Sequence, residues 1–147
     1  MQRLPAYPAN RLTDRARTVL RLARKTIPGQ KVNDLTPRSL LIGMCLEGTG
    51  VASRVLAHHG VDEQSICDNV DASLAVTGWS ITQFSKTCQN EATSIGHDFI
   101  GTEHLLIALT SPHELAANNA LIACGLSPQK LREETLGLLE GRGFRKD

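Results

Sequence analysis

At 147 residues and 15.9 kDa, with 41% hydrophobic and 21% charged residues, the chain has the composition of one globular domain or two very small ones, which excludes a disordered or fibrous protein. The longest apolar runs, such as Leu40 to Leu46, fall far short of the roughly 20 residues of a membrane span, and Met1 to Asn10 has no apolar signal core, so neither anchoring nor secretion is expected. The net charge of +1 conceals an asymmetry: residues 1–31 hold eight basic groups against Asp14 alone, giving +7, and the remainder carries −6.

In chain order, Thr13 reads as the cap of a first helix whose apolar positions Ala16, Val19, Leu20, Ala23 and Ile27 keep helical spacing until Pro28-Gly29 stops it. Thr36-Pro37 reads as N-cap and first residue of a second helix, through Cys45, broken by Gly48-Thr49-Gly50. A third helix runs from Val51 to His59 with Gly60 in the left-handed terminating position, and a fourth from Asp62 to about Leu74. The second half predicts helices at Ser80 to about Ile95, Thr102 to Leu109, Glu114 to Cys124 ended by Gly125, and Ser127-Pro128 to Leu139. No segment alternates with a period of two, so the fold class is all-α.

A shift of 65 residues superimposes Leu40-Leu41-Ile42 on Leu105-Leu106-Ile107, Ala52 on Ala117, Leu56 on Leu121, Gly60 on Gly125 and Gln64 on Gln129. Several of these identities fall where both halves need the same residue, in an apolar helix or after a short helix ended by glycine. The chain therefore divides into an extension (1–11), two pseudo-symmetric four-helix repeats (12–76 and 77–141) and a tail (142–147), packed as one domain about a pseudo-two-fold axis. With only five aromatic residues (Tyr7, Trp79, Phe84, Phe99 and Phe144), the core is aliphatic and few rings are left to stack on unpaired bases. Trp79 is expected to pack in the core or between the repeats. Cys45, Cys67, Cys88 and Cys124 stand singly, without a C-x-x-C pair, and read as reduced thiols of a cytosolic protein.

The stretch Gly96-His97-Asp98-Phe99-Ile100-Gly101-Thr102-Glu103-His104-Leu105-Leu106-Ile107-Ala108-Leu109 resembles the second-repeat signature of the Clp N-terminal domain, the doubled helical module of Clp-type AAA+ unfoldases, particularly the ClpC class. Thr13-Asp14-Arg15-Ala16-Arg17 and Glu47-Gly48-Thr49-Gly50-Val51-Ala52-Ser53-Arg54-Val55-Leu56 support it in the first half, so the resemblance covers about residues 12–141. It implies a recognition module that receives protein substrates or adaptors for an ATP-driven protease, located in the cytoplasm or, in a plant or alga, the plastid stroma. No G-x-x-x-x-G-K-[ST] loop occurs, so no nucleotide or other cofactor is expected to bind, and the chain reads as free-standing and non-enzymatic.

The resemblance also suggests a site. In some ClpC-type relatives the stretch matching Gly101, Thr102 and Glu103 helps to bind phosphorylated arginine, with phosphate at a helix N-terminus and guanidinium on the glutamate; His104 completes the segment. The alternative is that these residues cap and complement the helix, with His97 and His104 bonding the loop. The first repeat has Thr36-Pro37-Arg38-Ser39 at the equivalent place, so a second guanidinium site is not expected, although Arg38 could accept an anion. Arg17, Arg21 and Arg24 follow i, i+4, i+7 with Lys25 beside them: a solvated face, or a docking face for an acidic partner or, as a lesser alternative, nucleic-acid backbone. His58-His59 reads as interacting with a helix end, and no ligand spacing predicts a metal.

Overall fold

A computed structural model describes residues 11–27, 35–72 and 78–139. Eight helices follow one another: α1 (Asp14–Arg24), α2 (Pro37–Glu47), α3 (Val51–His58), α4 (Glu63–Asn69), α5 (Ile81–Ser94), α6 (Thr102–Leu109), α7 (Leu115–Ala123) and α8 (Pro128–Leu139). The class is all-α, as the periodicity indicated. Among the described residues the only ladder contact is an isolated parallel bridge between Leu12 and Ile100.

Helix starts follow local chemistry. Thr13 Oγ1 accepts from Ala16 N at 3.1 Å, Ser80 Oγ from Gln83 N at 3.2 Å, and Thr36 and Ser39 bond reciprocally across the first turn of α2. Gly48 closes α2 at φ 83°, and the Glu47 carboxylate accepts from Thr49 N and Gly50 N, holding a 96° corner into α3. Gly60 and Gly125, 65 residues apart, follow α3 and α7 in the left-handed conformation at φ 74° and 82°. The fourth helix is shorter than its sequence suggested: it ends at Asn69 because Val70 leaves helical geometry, turns fully inside the core, and gives its carbonyl to Arg38 Nε at 2.8 Å. The stop expected at Pro28-Gly29 lies outside the described residues, and α1 already ends at Arg24.

Two helices form the centre. All eight residues of α6 are buried, as are Pro37 and Ser39 to Met44 of α2. Around them α1 packs on α2, α5 on α6, α3 on α6 and α7 on α2, so the third helix of each half covers the second helix of the other. Gly43 of α2 lets α1 approach closely: a Cβ there would stand 2.5 Å from Val19 O. The halves also cross at their starts. Thr13 N donates to Ile100 O (2.9 Å), Ile100 N to Arg11 O (2.8 Å), and Trp79 Nε1 to Leu35 O (2.7 Å). Trp79 also lies 5.2 Å from Phe84, which is the packing role expected for it. No single helix among the described residues is long and apolar enough to cross a membrane.

The four thiols are unpaired. Burial pushes Cys45 up to about 12 and Cys88 well above its ordinary 9.0, and Cys124 is also raised by burial. Cys67 is exposed. An alkylating reagent at neutral pH should therefore modify Cys67 in the native protein, with Cys45 and Cys88 reacting only after denaturation; mass spectrometry of tryptic peptides would show whether either buried thiol reacts first. Because the Cys45 pKa is raised on folding, its stabilising effect is complete below pH 9 and is lost as pH climbs towards 12.

Candidate functional site: the basic face of α1 and the junction behind it

At 3.6 residues per turn, Arg17, Arg21, Arg24 and Lys25 fall within an arc of about 100° on α1. The opposite arc, Ala16, Val19, Leu20 and Ala23, is fully buried, so the structure brings the four cations to one outer face. They are not equivalent. Arg21 and Lys25 are exposed, whereas Arg17 and Arg24 are half-buried. Arg17 Nη1 donates to Leu12 O at 2.9 Å and its Nη2 pairs with Asp14, so this guanidinium braces the first turn of α1. Arg21 and Lys25 carry the accessible part of the face, and exposed Arg11, ahead of the helix, donates to Asp98 O at 3.2 Å.

Behind α1 lies the junction formed by Gly101, Thr102, Glu103 and His104. The structure brings these residues together and buries all four, with Thr102, Glu103 and His104 at 0% exposure. The reason is the position of α6. Its N-terminus is enclosed by the segment that leads into α1 and by the start of α3, so it meets protein on every side. Thr102 Oγ1 accepts from Ala52 N at 3.3 Å, in the first turn of α3. Arg38, at the equivalent place in the first half, donates its Nε to Val70 O at 2.8 Å and supports the end of α4.

The two histidines do bond the loop. Gly101 N donates to His104 Nδ1 at 2.9 Å, so the proton of that ring sits on Nε2, which donates to His97 Nδ1 at 2.8 Å. Phe99 stacks on His97 at 4.7 Å and meets His104 edge-on at 5.1 Å. The unit is hydrogen-bonded within itself, and among the described residues no group of three or more His, Cys, Asp or Glu could hold a metal ion.

Sequence reasoning missed the polar seam of the second half. Arg132 forms a two-pronged pair with Glu91, its nitrogens 2.7 and 2.8 Å from the carboxylate oxygens, and donates to Ile107 O, while buried Glu114 accepts from Thr87 Oγ1 at 2.7 Å. Separations of 41 and 27 residues leave no local trace of these pairs.

Residues 80–142 match the profile of the Clp repeat (R) N-terminal domain. The chain as a whole is homologous to the N-terminal regions of ClpB and ClpC proteins: it is 31% identical over 139 residues both to the chaperone protein ClpB of Oceanobacillus iheyensis and to the negative regulator of genetic competence ClpC/MecB of Bacillus subtilis, in each case covering 88% of this chain. It is 27% identical over 146 residues to the chloroplastic chaperone protein ClpC of Pisum sativum, covering 92%. The chain spans only 16–17% of the length of these relatives. Among solved structures, the N-terminal domain of the caseinolytic protease associated chaperone ClpD from Arabidopsis thaliana superposes with a TM-score of 0.70 at 16% identity, covering 94% of this chain and all of that one, which shows a shared fold.

Proposed function

We propose that the chain is a non-catalytic protein-recognition module, built of repeats at 12–76 and 77–141, that binds substrates, adaptors or Clp components and so delivers to or regulates ATP-dependent proteolysis. The observation that carries the docking assignment is the α1 face, where Arg21 and Lys25 stand exposed in the segment that concentrates +7 of charge. Such a face attracts an acidic protein surface. Phosphoarginine recognition at Gly101 to Glu103 would need a surface carboxylate, and Glu103 is fully buried, so the reading places recognition on α1. The relatives include cytosol-type bacterial and chloroplastic proteins, and a cytoplasmic or stromal location accords with them.

The test is affinity capture from an extract of the source organism with the wild-type chain and with Arg21→Glu/Lys25→Glu. Both substitutions are at exposed positions, so the fold should survive, as circular dichroism would verify. Recovery of a Clp ATPase, peptidase or adaptor, reduced at least about tenfold by the charge reversal, is the expected result; about 1.4 kcal/mol of lost interaction suffices. The same basic face favours a second reading, binding to nucleic-acid backbone. Recovery of nucleic acid without any Clp component would replace the first reading by the second.

A further inference from the structure

Ala116, Ala117, Ala120 and Leu121 of α7 are buried on one arc of the helix, and α7 packs on α2. The opposite arc is largely apolar as well. At about 100° per residue, Leu115, Asn119 and Ile122 fall within about 60° of one another. All three are exposed, Leu115 to 71% and Ile122 to 58%. These two are among only three large apolar side chains that stand exposed in the described residues. A helix that is apolar on both sides is ordinarily covered on both, and α7 is covered on one.

The internal repeat supplies a control. The 65-residue shift places Gly50 on Leu115, Arg54 on Asn119, Ala57 on Ile122 and His58 on Ala123. α3 and α7 hold equivalent positions, each packed on the second helix of the other half. The outer face of α3 presents exposed Arg54 and His58 to water. The outer face of α7 has neither a cation nor an imidazole and carries a leucine and an isoleucine instead. No charged residue occurs anywhere from Leu115 to Gln129. The same place in the fold is thus solvated in one half and built for contact in the other.

We propose that the outer face of α7 is an interface between two copies of this chain, packed antiparallel about a two-fold axis beside Asn119. The stripe is its own complement. The midpoint between Leu115 and Ile122 lies half a residue from Asn119, so an antiparallel two-fold sets each Leu115 on the other copy's Ile122 and brings the two Asn119 side chains face to face. A carboxamide both donates and accepts, so asparagine pairs with asparagine, and one such pair in an apolar seam fixes the register. Charge selects the same occupant: a charged partner finds no counter-charge on α7, whereas a second copy brings an equally neutral face. One helix face is well below the roughly 800 Å² per partner of a stable complex, so the dimer is a weak one, with Kd on the order of 100 µM. The interface goes beyond the protein-recognition reading and does not use the α1 face.

The experiment is sedimentation equilibrium of the full chain from about 10 µM to about 1 mM, in about 0.15 M salt to screen the basic α1 faces. The mean mass should climb from 15.9 kDa towards twice that value. Leu115→Glu and Ile122→Glu, both at exposed positions and checked for unchanged circular dichroism, should each hold it at 15.9 kDa. Asn119→Asp and Asn119→Lys should each associate at least about fivefold more weakly than wild type, because like charges then meet across the axis. An equimolar mixture of these two variants should associate at least about fivefold more tightly than either alone, which a merely sticky surface would not do. A mass constant up to about 1 mM, association that survives Ile122→Glu, or a mixture no tighter than its components would overturn the proposal. Arg21→Glu/Lys25→Glu should leave the dimer unchanged, so failure of the Clp-capture experiment and failure of this interface are separate results.

Discussion

Gly43→Ala should lower the melting temperature by about 6–12 °C, the consequence of overpacking worth about 3 kcal/mol in a chain of this size. The added Cβ would stand 2.5 Å from Val19 O and 3.1 Å from both Ala23 N and Ala23 Cβ, and the nearest of these atoms is backbone, which cannot rotate away. Relief requires α1 to slide off α2, and both helices contribute to the main core. Ala108 holds the equivalent place in α6, 65 residues later, where a methyl group is accommodated at 0% exposure. Ala108→Gly should accordingly cost only about 1–2 kcal/mol, from helix propensity and a lost methyl contact. Urea denaturation of both variants provides the check. Equal destabilisation by the two substitutions would mean that the α1–α2 approach is no tighter than α5–α6.

His104→Ala should destabilise the fold by about 3–5 kcal/mol. The substitution removes a fully buried ring, leaves the Gly101 amide without its acceptor at the start of α6, and releases His97 from its donor. His104→Gln should recover at least about 1 kcal/mol of this loss, because a glutamine in the third helical position can reach back to the amide as the imidazole does. Thermal unfolding of the pair separates packing from hydrogen bonding. If glutamine and alanine proved equally harmful, the ring would matter for its shape alone and the Gly101 bond would contribute nothing.

The helix pattern was legible in the sequence because it depends on local signals. Thr13, Thr36-Pro37 and Ser80 cap, and Gly60 and Gly125 terminate, through bonds that span three or four residues, and most helix ends fall within two residues of the positions these signals indicate. The end of α4 did not follow, since the bond from Arg38 to Val70 O joins residues 32 apart. Accessibility of the Gly101 to Glu103 stretch was illegible for a related reason. A threonine and a glutamate at a helix start look the same in sequence whether that end faces water or protein. The available signal was the run Leu105 to Leu109, apolar on every side, which marks a helix surrounded by others. The four cations of α1 were grouped correctly by their spacing, but only coordinates separate Arg17, engaged by Leu12 O and Asp14, from the solvent-facing Arg21 and Lys25.

The crossed starts of the two halves make each the template for the other. Ile100 exchanges both of its backbone bonds with the strand-like residues that lead into α1, and Leu35 receives the Trp79 indole in return. A fragment confined to residues 80–142 would thus carry the family profile yet lack the residues that bond the start of α6, and it would expose the face of α6 that α3 covers. Such a half could bury that surface only against a second half, so a chain of half this length would survive as a two-fold pair, with the present covalent link replacing an association between separate molecules.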